Sequence, residues 1–201
     1  MEQLQSKLLQ IEHGFKIFEE EAKKIVGSHS QINSNKIALD LLESEFYQMR
    51  SCGVFILGFI SAKDKSVLFT LKELARDDDS WQVQEIIAKA FDQFCRDNGY
   101  ENSLPEISEW INNENSNICR AVTEGLRVWT SRPYFKEHPE KAIRLISRNK
   151  ASESEYLRKS VGNSLRDIGK KNSKLIQDEI SKWNLDDSNT AFTYQYVLKR
   201  H

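Results

Sequence analysis

The chain has 201 residues, of which 39% are hydrophobic and 29% are charged, a composition typical of a folded globular protein rather than a disordered one. Its length predicts one domain with a sizeable core. Its formal net charge of −1 shows that the chain as a whole is neither strongly basic nor strongly acidic. The longest apolar run, GVFILGFISA at 53–62, has about half the length of a membrane span, so we expect no membrane contact.

Helical periodicity dominates the whole sequence. Apolar residues recur every three or four positions, and only three prolines and eight glycines interrupt them. Helices are predicted at 2–26, 32–50, 53–62, 65–76, 80–97, 104–112, 117–131, 139–148, 153–171, 173–183 and 189–199. The polar breaks NSN, DDDS and NENSN can cap the helices that follow them. The sequence therefore predicts an all-α chain.

Three of these helices align with one another without gaps. The segments are VQEIIAKAF from Val83, ICRAVTEGL from Ile118 and LRKSVGNSL from Leu157, offset by 35 and 39 residues. Periods of that size are typical of HEAT-like helical repeats, in which each repeat buries its apolar face against its neighbours. The fold class predicted is a right-handed α-solenoid of HEAT-like helical repeats.

Polar residues coincide in the same alignment, on one face of each helix. They are Glu85, Lys89 and Asp92 in the first helix, Arg120, Glu124 and Arg127 in the second, and Lys159, Asn163 and Arg166 in the third. Stacked repeats would join these faces into a concave basic wall, with Trp81 at its acidic end. Residues 119–175 carry fourteen Lys and Arg against six Asp and Glu. Such a local excess of positive charge favours a polyanion as partner, although solvated helix surfaces would also produce it.

The basic residues of this wall suit phosphate binding, because arginine contacts phosphate oxygens with a two-pronged guanidinium. The candidates are Arg120, Arg127, Arg132, Arg158, Lys159, Arg166, Lys170 and Lys171. Glu124 and Asp167 interrupt the basic series. Either they form ion pairs with neighbouring arginines or, beside Trp81 and Trp129, they stabilise a developing positive charge. Trp129 also follows the apolar pattern of a core residue.

Other chemistries lack a signal. The three cysteines are far apart without CxxC spacing, which favours buried thiols in a reducing compartment. The four histidines lack ligand spacing, and no glycine-rich nucleotide motif occurs. We therefore expect no metal and no organic cofactor. The first residues, MEQLQSKLLQIEHG, lack the apolar segment of a signal peptide, so a cytoplasmic location is expected.

The strings SWQVQE, RAVTEGLR and SVGNSLRDI, in this order, resemble the AlkC/AlkD superfamily of DNA alkylation repair proteins, which are HEAT-like-repeat DNA glycosylases. The resemblance covers Ser51 to Trp183 and is strongest at 77–171. It is nearer the AlkC side, since Glu85 stands where AlkD-type members have an aspartate. It implies one domain over 1–201, with N-terminal helices at 1–50, repeats at 51–183 and a C-terminal helix at 184–201.

The resemblance implies excision of cationic alkylated purines, such as 3-methyladenine and 7-methylguanine, from double-stranded DNA. In that case Glu85, Glu124 and Asp167 stabilise the oxocarbenium-like transition state and place water. Trp81, Trp129 and Asn163 line the lesion, and the basic residues hold the DNA backbone. A monomer without metal or cofactor is expected, associated with the nucleoid when bound to DNA. Two alternatives stay open: a non-catalytic scaffold for damaged or branched DNA, and a protein-binding α-solenoid.

Overall fold

The computed structural model describes residues 2–199, and this range is all-α, without β-strands. The helices are α1 (Glu2–Leu9), α2 (Lys16–Ser28), α3 (Gln31–Leu42), α4 (Tyr47–Ile60), α5 (Ser66–Asp77), α6 (Trp81–Asn98), α7 (Leu104–Ile111), α8 (Ser116–Gly125), α9 (Pro133–Glu137), α10 (Pro139–Ser147), α11 (Glu155–Gly169), α12 (Ser173–Ile180) and α13 (Ser188–Leu198), with a 3-10 helix at Trp129–Ser131. None of the helices in residues 2–199 is both long and apolar enough to cross a membrane.

Two compact units divide the chain, unit 1 at Met1–Asn98 and unit 2 at Gly99–His201. Unit 1 contains α1 to α6, and unit 2 contains α7 to α13. The prediction that the chain forms a single repeat domain stays a prediction.

Helix α4 is the central element of unit 1. It packs against α2, α3 and α6, and most of its residues are buried, which explains the apolar run found in the sequence. A methyl group added at Gly58 would lie 2.9 Å from the Cα of Ala90. Glycine therefore permits the close approach of α4 to α6.

The sequence-based boundaries were wrong at three places. The helix predicted at 2–26 is two helices, because Gly14 adopts a φ of +82°, a conformation that other residues rarely adopt. The break predicted near Ser51 lies at 43–46 instead, and Ser51 is buried inside α4. The helix predicted at 117–131 ends at Gly125.

Side chains from the following loop satisfy the carbonyl groups at the end of α8. The Trp129 indole Nε1 donates to the Thr123 carbonyl at 3.4 Å, and Arg132 Nη2 donates to the Gly125 carbonyl at 3.4 Å. These hydrogen bonds replace those of a further helical turn, which explains why α8 stops early. Apart from the helix predicted at 117–131, each helix predicted from residue 65 onward begins and ends within three residues of an observed helix.

Helix α11 is the central element of unit 2, as α4 is of unit 1, and it packs against α8, α10, α12 and α13. The unit's largest fully buried side chains are Trp110, Trp129 and Phe135. The Trp129 and Phe135 rings meet edge to face, with centroids 4.9 Å apart. These aromatic side chains are part of the core of unit 2.

A recurring hydrogen bond identifies equivalent helices. Near the start of α4, α6, α8 and α11, one side chain donates to the carbonyl six residues earlier. The donor and acceptor pairs are Arg50 and Ser44 (3.0 Å), Gln84 and Asp78 (2.8 Å), Cys119 and Asn113 (3.0 Å), and Arg158 and Ser152 (2.5 Å). The side chain of each acceptor residue also accepts the backbone N–H two residues later, at 2.8–3.2 Å.

This pattern supports the repeat alignment predicted from the sequence. Gln84, Cys119 and Arg158 occupy the same position in the three aligned segments. It also adds α4 as a fourth equivalent helix, which the sequence comparison missed. The donors differ chemically, so the equivalence is a matter of geometry rather than residue identity.

Candidate functional site

Glu124, in the last turn of α8, has its carboxylate held from two sides. Its side chain is 13% exposed, Ser160 Oγ of α11 donates to its Oε1 at 2.5 Å, and Arg127 Nη1 lies 3.7 Å from its Oε2. The Ser160 hydroxyl comes from a different helix, so the packing of α8 against α11 determines the orientation of this carboxylate. Glu124 is therefore a fixed acceptor at the surface of unit 2.

Asp167, two turns after Ser160 on α11, is the second carboxylate of this surface. Its side chain is 15% exposed, Lys170 Nζ donates to its Oδ1 at 2.7 Å, and Arg127 Nε donates to its Oδ2 at 3.3 Å. Burial by itself would raise the pKa of Asp167, but the hydrogen bond and charge of Lys170, with the charge of Arg127, lower it overall. Asp167 is therefore held in its ionised form.

Arg127 joins the two carboxylates. It lies just beyond the end of α8 and reaches both Glu124 and Asp167, which belong to different helices. The sequence left open an ion pair of Glu124 with its neighbouring arginines; the structure contains the pair with Arg127, although the shorter contact of Arg127 is the one to Asp167. We call Glu124, Arg127, Ser160, Asp167 and Lys170 the α8–α11 network. Its two negative charges are balanced by two positive ones.

Ser160 is the member of the network that sequence reasoning missed. In the repeat alignment it stands opposite Ile86 and Ala121, which are buried apolar residues. A serine at a position that is otherwise apolar was the available signal, because a buried hydroxyl needs a hydrogen-bond partner.

Trp129 does not face solvent. Its side chain has no exposed surface, packs on Phe135 and donates to the Thr123 carbonyl. A side chain without exposed surface cannot stack on a bound base, so the predicted contact of Trp129 with a lesion is corrected to a packing role. The predicted lesion residue Asn163 is partly exposed on α11.

Arg158 is likewise occupied by the protein itself. It is only 9% exposed, its Nη1 donates to the carbonyls of Ser152 and Glu153, and its guanidinium Cζ lies 4.9 Å from the centre of the Phe192 ring. The predicted contact between Arg158 and DNA is therefore corrected to a structural role, since the guanidinium is turned toward the protein.

The remaining predicted basic residues differ in how far they are engaged. Arg132 binds the end of α8, and Arg166 Nη1 donates to the Tyr196 carbonyl at 3.3 Å. Lys159 pairs with Glu155 at 2.5 Å across one turn of α11. Arg127 and Lys170 belong to the α8–α11 network and, like Arg120 and Lys171, are half-buried or exposed at the surface.

Glu85 and Trp81 belong to unit 1. Trp81 begins α6, is 66% exposed, and meets the Phe15 ring edge to face at 6.4 Å between centroids. Glu85 lies one turn later on the same helix and is partly exposed. The predicted grouping of Glu85 with Glu124 and Asp167 stays a prediction.

No metal-binding cluster occurs among residues 2–199, since no three His, Cys, Asp or Glu side chains lie close enough to share an ion.

Comparison with protein families gives one match over most of the chain. A family model described as DNA alkylation repair enzyme matches residues 16–197. Among curated proteins, the uncharacterized protein YhaZ of Bacillus subtilis (strain 168) is 30% identical over 108 residues. That alignment covers 50% of this chain and 30% of YhaZ, so the chain spans less than a third of that relative.

Solved structures resemble the whole chain. AlkD2 from Streptococcus mutans is 44% identical with a TM-score of 0.95, covering 98% of this chain and 95% of that one. The structure of smu.31 from Streptococcus mutans UA159 is 43% identical with a TM-score of 0.89, covering 92% and 91%. A third structure is Pseudomonas fluorescens alkylpurine DNA glycosylase AlkC bound to DNA containing an abasic site analog. It is 20% identical with a TM-score of 0.52, and the match covers 92% of this chain and 61% of AlkC. This likeness shows a shared fold alone. These likenesses confirm the predicted all-α fold of HEAT-like repeats.

Proposed function

This chain belongs to the DNA alkylation repair enzyme family of the AlkC/AlkD superfamily, and we propose that it is a DNA glycosylase that excises cationic alkylated purines. The substrates are duplex DNA containing 3-methyladenine or 7-methylguanine. DNA as partner rests on the family and on the excess of basic residues at 119–175.

The reaction needs charge stabilisation more than proton donation. The bond between the sugar C1′ and the base nitrogen breaks, and its electron pair neutralises the cationic base, which leaves without protonation. The sugar carries the positive charge until the oxygen of a water molecule bonds to C1′ and the water loses one proton. A carboxylate near C1′ lowers the barrier through its charge, most effectively when its orientation is fixed beforehand.

The fixed carboxylate of Glu124 is the observation that carries this proposal. Ser160 on one side and Arg127 on the other hold it, so little reorganisation is needed when positive charge develops. In the proposed reaction Glu124 stabilises the sugar cation and accepts the proton from water. Asp167 has the closer cationic partners, so it acts mainly by holding Arg127 in place.

The residues of unit 1 have a separate role in the proposal. The exposed ring of Trp81 offers a surface on which an alkylated base can lie, and a cationic base is attracted by the face of an indole. Glu85 lies one turn later on the same face of α6, so in the proposal it stabilises the positive charge of a base on Trp81. The DNA backbone is held by the basic residues whose side chains reach solvent: Arg120, Arg127, Lys159, Lys170 and Lys171.

Base release tests the proposal. Purified protein is incubated with duplex DNA containing 7-methylguanine or 3-methyladenine, and the released base is quantified for wild type, Glu124→Gln and Glu155→Gln. Glu155 is the matched control, since it is an ion-paired glutamate on exposed α11 surface. We expect release by wild type and Glu155→Gln, and a loss of about 100-fold in Glu124→Gln, the effect typical of removing one charge-stabilising group. Release equal in all three proteins contradicts the assignment of Glu124.

A non-catalytic DNA-binding protein is the second candidate, and the balanced charge of the α8–α11 network favours it. Lys170 and Arg127 already neutralise Asp167, which is the arrangement of a structural ion-pair network. In this case no base is released above the spontaneous rate, and Glu124→Gln retains or increases DNA affinity because one negative charge is removed from a basic surface. Base release separates the two candidates, and salt-dependent affinity for undamaged DNA, measured on the same proteins, separates both of them from a protein that does not bind DNA.

A further inference from the structure

A groove between α7 and α10 lies outside the α8–α11 network. It encloses about 280 Å³, and it is lined by Leu104 and Ser108 of α7 and by Lys141, Arg144, Leu145 and Arg148 at α10. None of these residues is among the catalytic, lesion-binding or DNA-backbone residues named above, although the three cations of the groove are part of the basic excess at 119–175.

The groove is strongly cationic. Lys141, Arg144 and Arg148 recur at intervals of three and four along α10 and its first following residue, so they lie on one face. Every charged group in the lining is positive, and the Ser108 hydroxyl adds a further hydrogen-bond donor. A surface groove with three positive charges and no carboxylate in its lining attracts anions.

Two of the three cations are held in place by neutral partners rather than by carboxylates. Arg148 Nη1 donates to Asn112 Oδ1 at 2.9 Å, and Lys141 Nζ donates to the Tyr134 hydroxyl. Across residues 2–199, none of the three cations of the groove forms a salt bridge. The charges of Lys141 and Arg148 are therefore oriented but not neutralised, in contrast with those of Arg127 and Lys170, and Arg144 adds an exposed charge beside them.

Contacts between the two helices set the width of the groove. Asn149 Nδ2 donates to the Ile111 carbonyl at 2.7 Å, which joins the end of α10 to the end of α7 next to the Arg148 contact with Asn112. Leu104 and Leu145 supply apolar surface to the lining. The groove is thus formed before any ligand arrives.

We propose that this groove binds a phosphate group. Arg144 and Arg148 bind its oxygens with their guanidinium groups, Lys141 adds charge, and Ser108 donates a further hydrogen bond. The phosphate is either free, as in pyrophosphate, or a phosphodiester of a DNA strand, and the two sources are separated by experiment. This site acts independently of the glycosylase reaction.

The test uses a double variant, Arg144→Gln with Arg148→Gln, in the full chain. Both side chains are exposed, so we expect the helical circular dichroism signal and the Tm to stay near wild type. The matched control is Lys136→Gln with Lys174→Gln, which removes the same charge from exposed positions of unit 2 outside the groove. A second variant, Arg144→Lys with Arg148→Lys, retains the charge but loses the two-pronged donors.

Two measurements are made on each protein. Calorimetry follows pyrophosphate binding at constant ionic strength, and fluorescence anisotropy follows the affinity for undamaged duplex DNA as salt is raised. For a free-phosphate site, the affinity of the Arg to Gln variant for pyrophosphate falls by about tenfold or more, and the Lys variant is intermediate. For a phosphodiester site, pyrophosphate does not bind, but the salt dependence of DNA binding weakens by about one to two phosphate contacts relative to the control.

The proposal is overturned if the Arg to Gln variant matches the control in both assays. A second outcome also overturns it: the Arg to Gln variant loses affinity in one assay, but the Arg to Lys variant equals wild type in that assay. Charge alone would then account for binding, without the two-pronged contact of a guanidinium. Base release is measured separately, so failure of the glycosylase proposal does not affect either outcome.

Discussion

Replacing Arg158 with methionine tests whether this residue stabilises the fold or binds DNA. Its Nη1 donates to the carbonyls of Ser152 and Glu153 at 2.5 and 3.0 Å, and its guanidinium lies over Phe192. Methionine retains a flexible apolar side chain on Phe192 but removes both hydrogen bonds and the positive charge.

The magnitude follows from these contacts. Hydrogen bonds from a charged donor contribute roughly 1.5–3 kcal/mol, and the contact with an aromatic ring adds about 0.5–1 kcal/mol. Arg158 Nε is buried without a hydrogen-bond partner among the described residues, and its removal returns about 1 kcal/mol. Two such hydrogen bonds are lost, so we expect the free energy of unfolding to fall by about 3 kcal/mol, near the lower end of this sum, which lowers the Tm by about 6–12 °C in a chain of this size.

Thermal unfolding followed by circular dichroism measures this change. The control is Lys159→Met, the same substitution at the next residue, where an exposed ion pair with Glu155 contributes less than about 0.5 kcal/mol. DNA affinity is measured for both variants at low salt. An unchanged Tm for Arg158→Met together with a large loss of DNA affinity would refute the structural role and restore the contact predicted from the sequence.

Three further predictions follow from the same structure. The folded protein lowers the pKa of Asp167 below its ordinary value of 3.8. Wild type is therefore more stable than Asp167→Asn at neutral pH, and this difference disappears as pH falls below about 4. Urea unfolding of both proteins at several pH values measures the difference. Gly58→Ala forces a methyl group against Ala90 and costs about 1–3 kcal/mol, whereas Gly27→Ala, with nothing within 4 Å, gains about 0.5–1 kcal/mol from helix propensity. A thiol reagent modifies the three buried cysteines only after unfolding, since burial raises the pKa of Cys52 to about 12; rapid modification of the native protein contradicts this.

Much of the architecture follows from local patterns. The 3.6-residue spacing of apolar side chains predicts most helices, because each helix must bury one face. The alignment of the helices around Val83, Ile118 and Leu157 predicts the repeats, and the recurring hydrogen bonds of Gln84 and Cys119 support it. The resemblance carried by SWQVQE, RAVTEGLR and SVGNSLRDI identifies the family correctly.

Three-dimensional packing decided what the helical pattern left open. The sequence places Arg158 and Arg127 among similar basic residues, yet the first is turned inward to loop carbonyls and the second bridges two carboxylates. Trp129 fits both a core position and a lesion contact, and burial against Phe135 selects the core. Periodicity gives the face on which a side chain lies, but the partner of a long flexible cation depends on distances set by neighbouring helices.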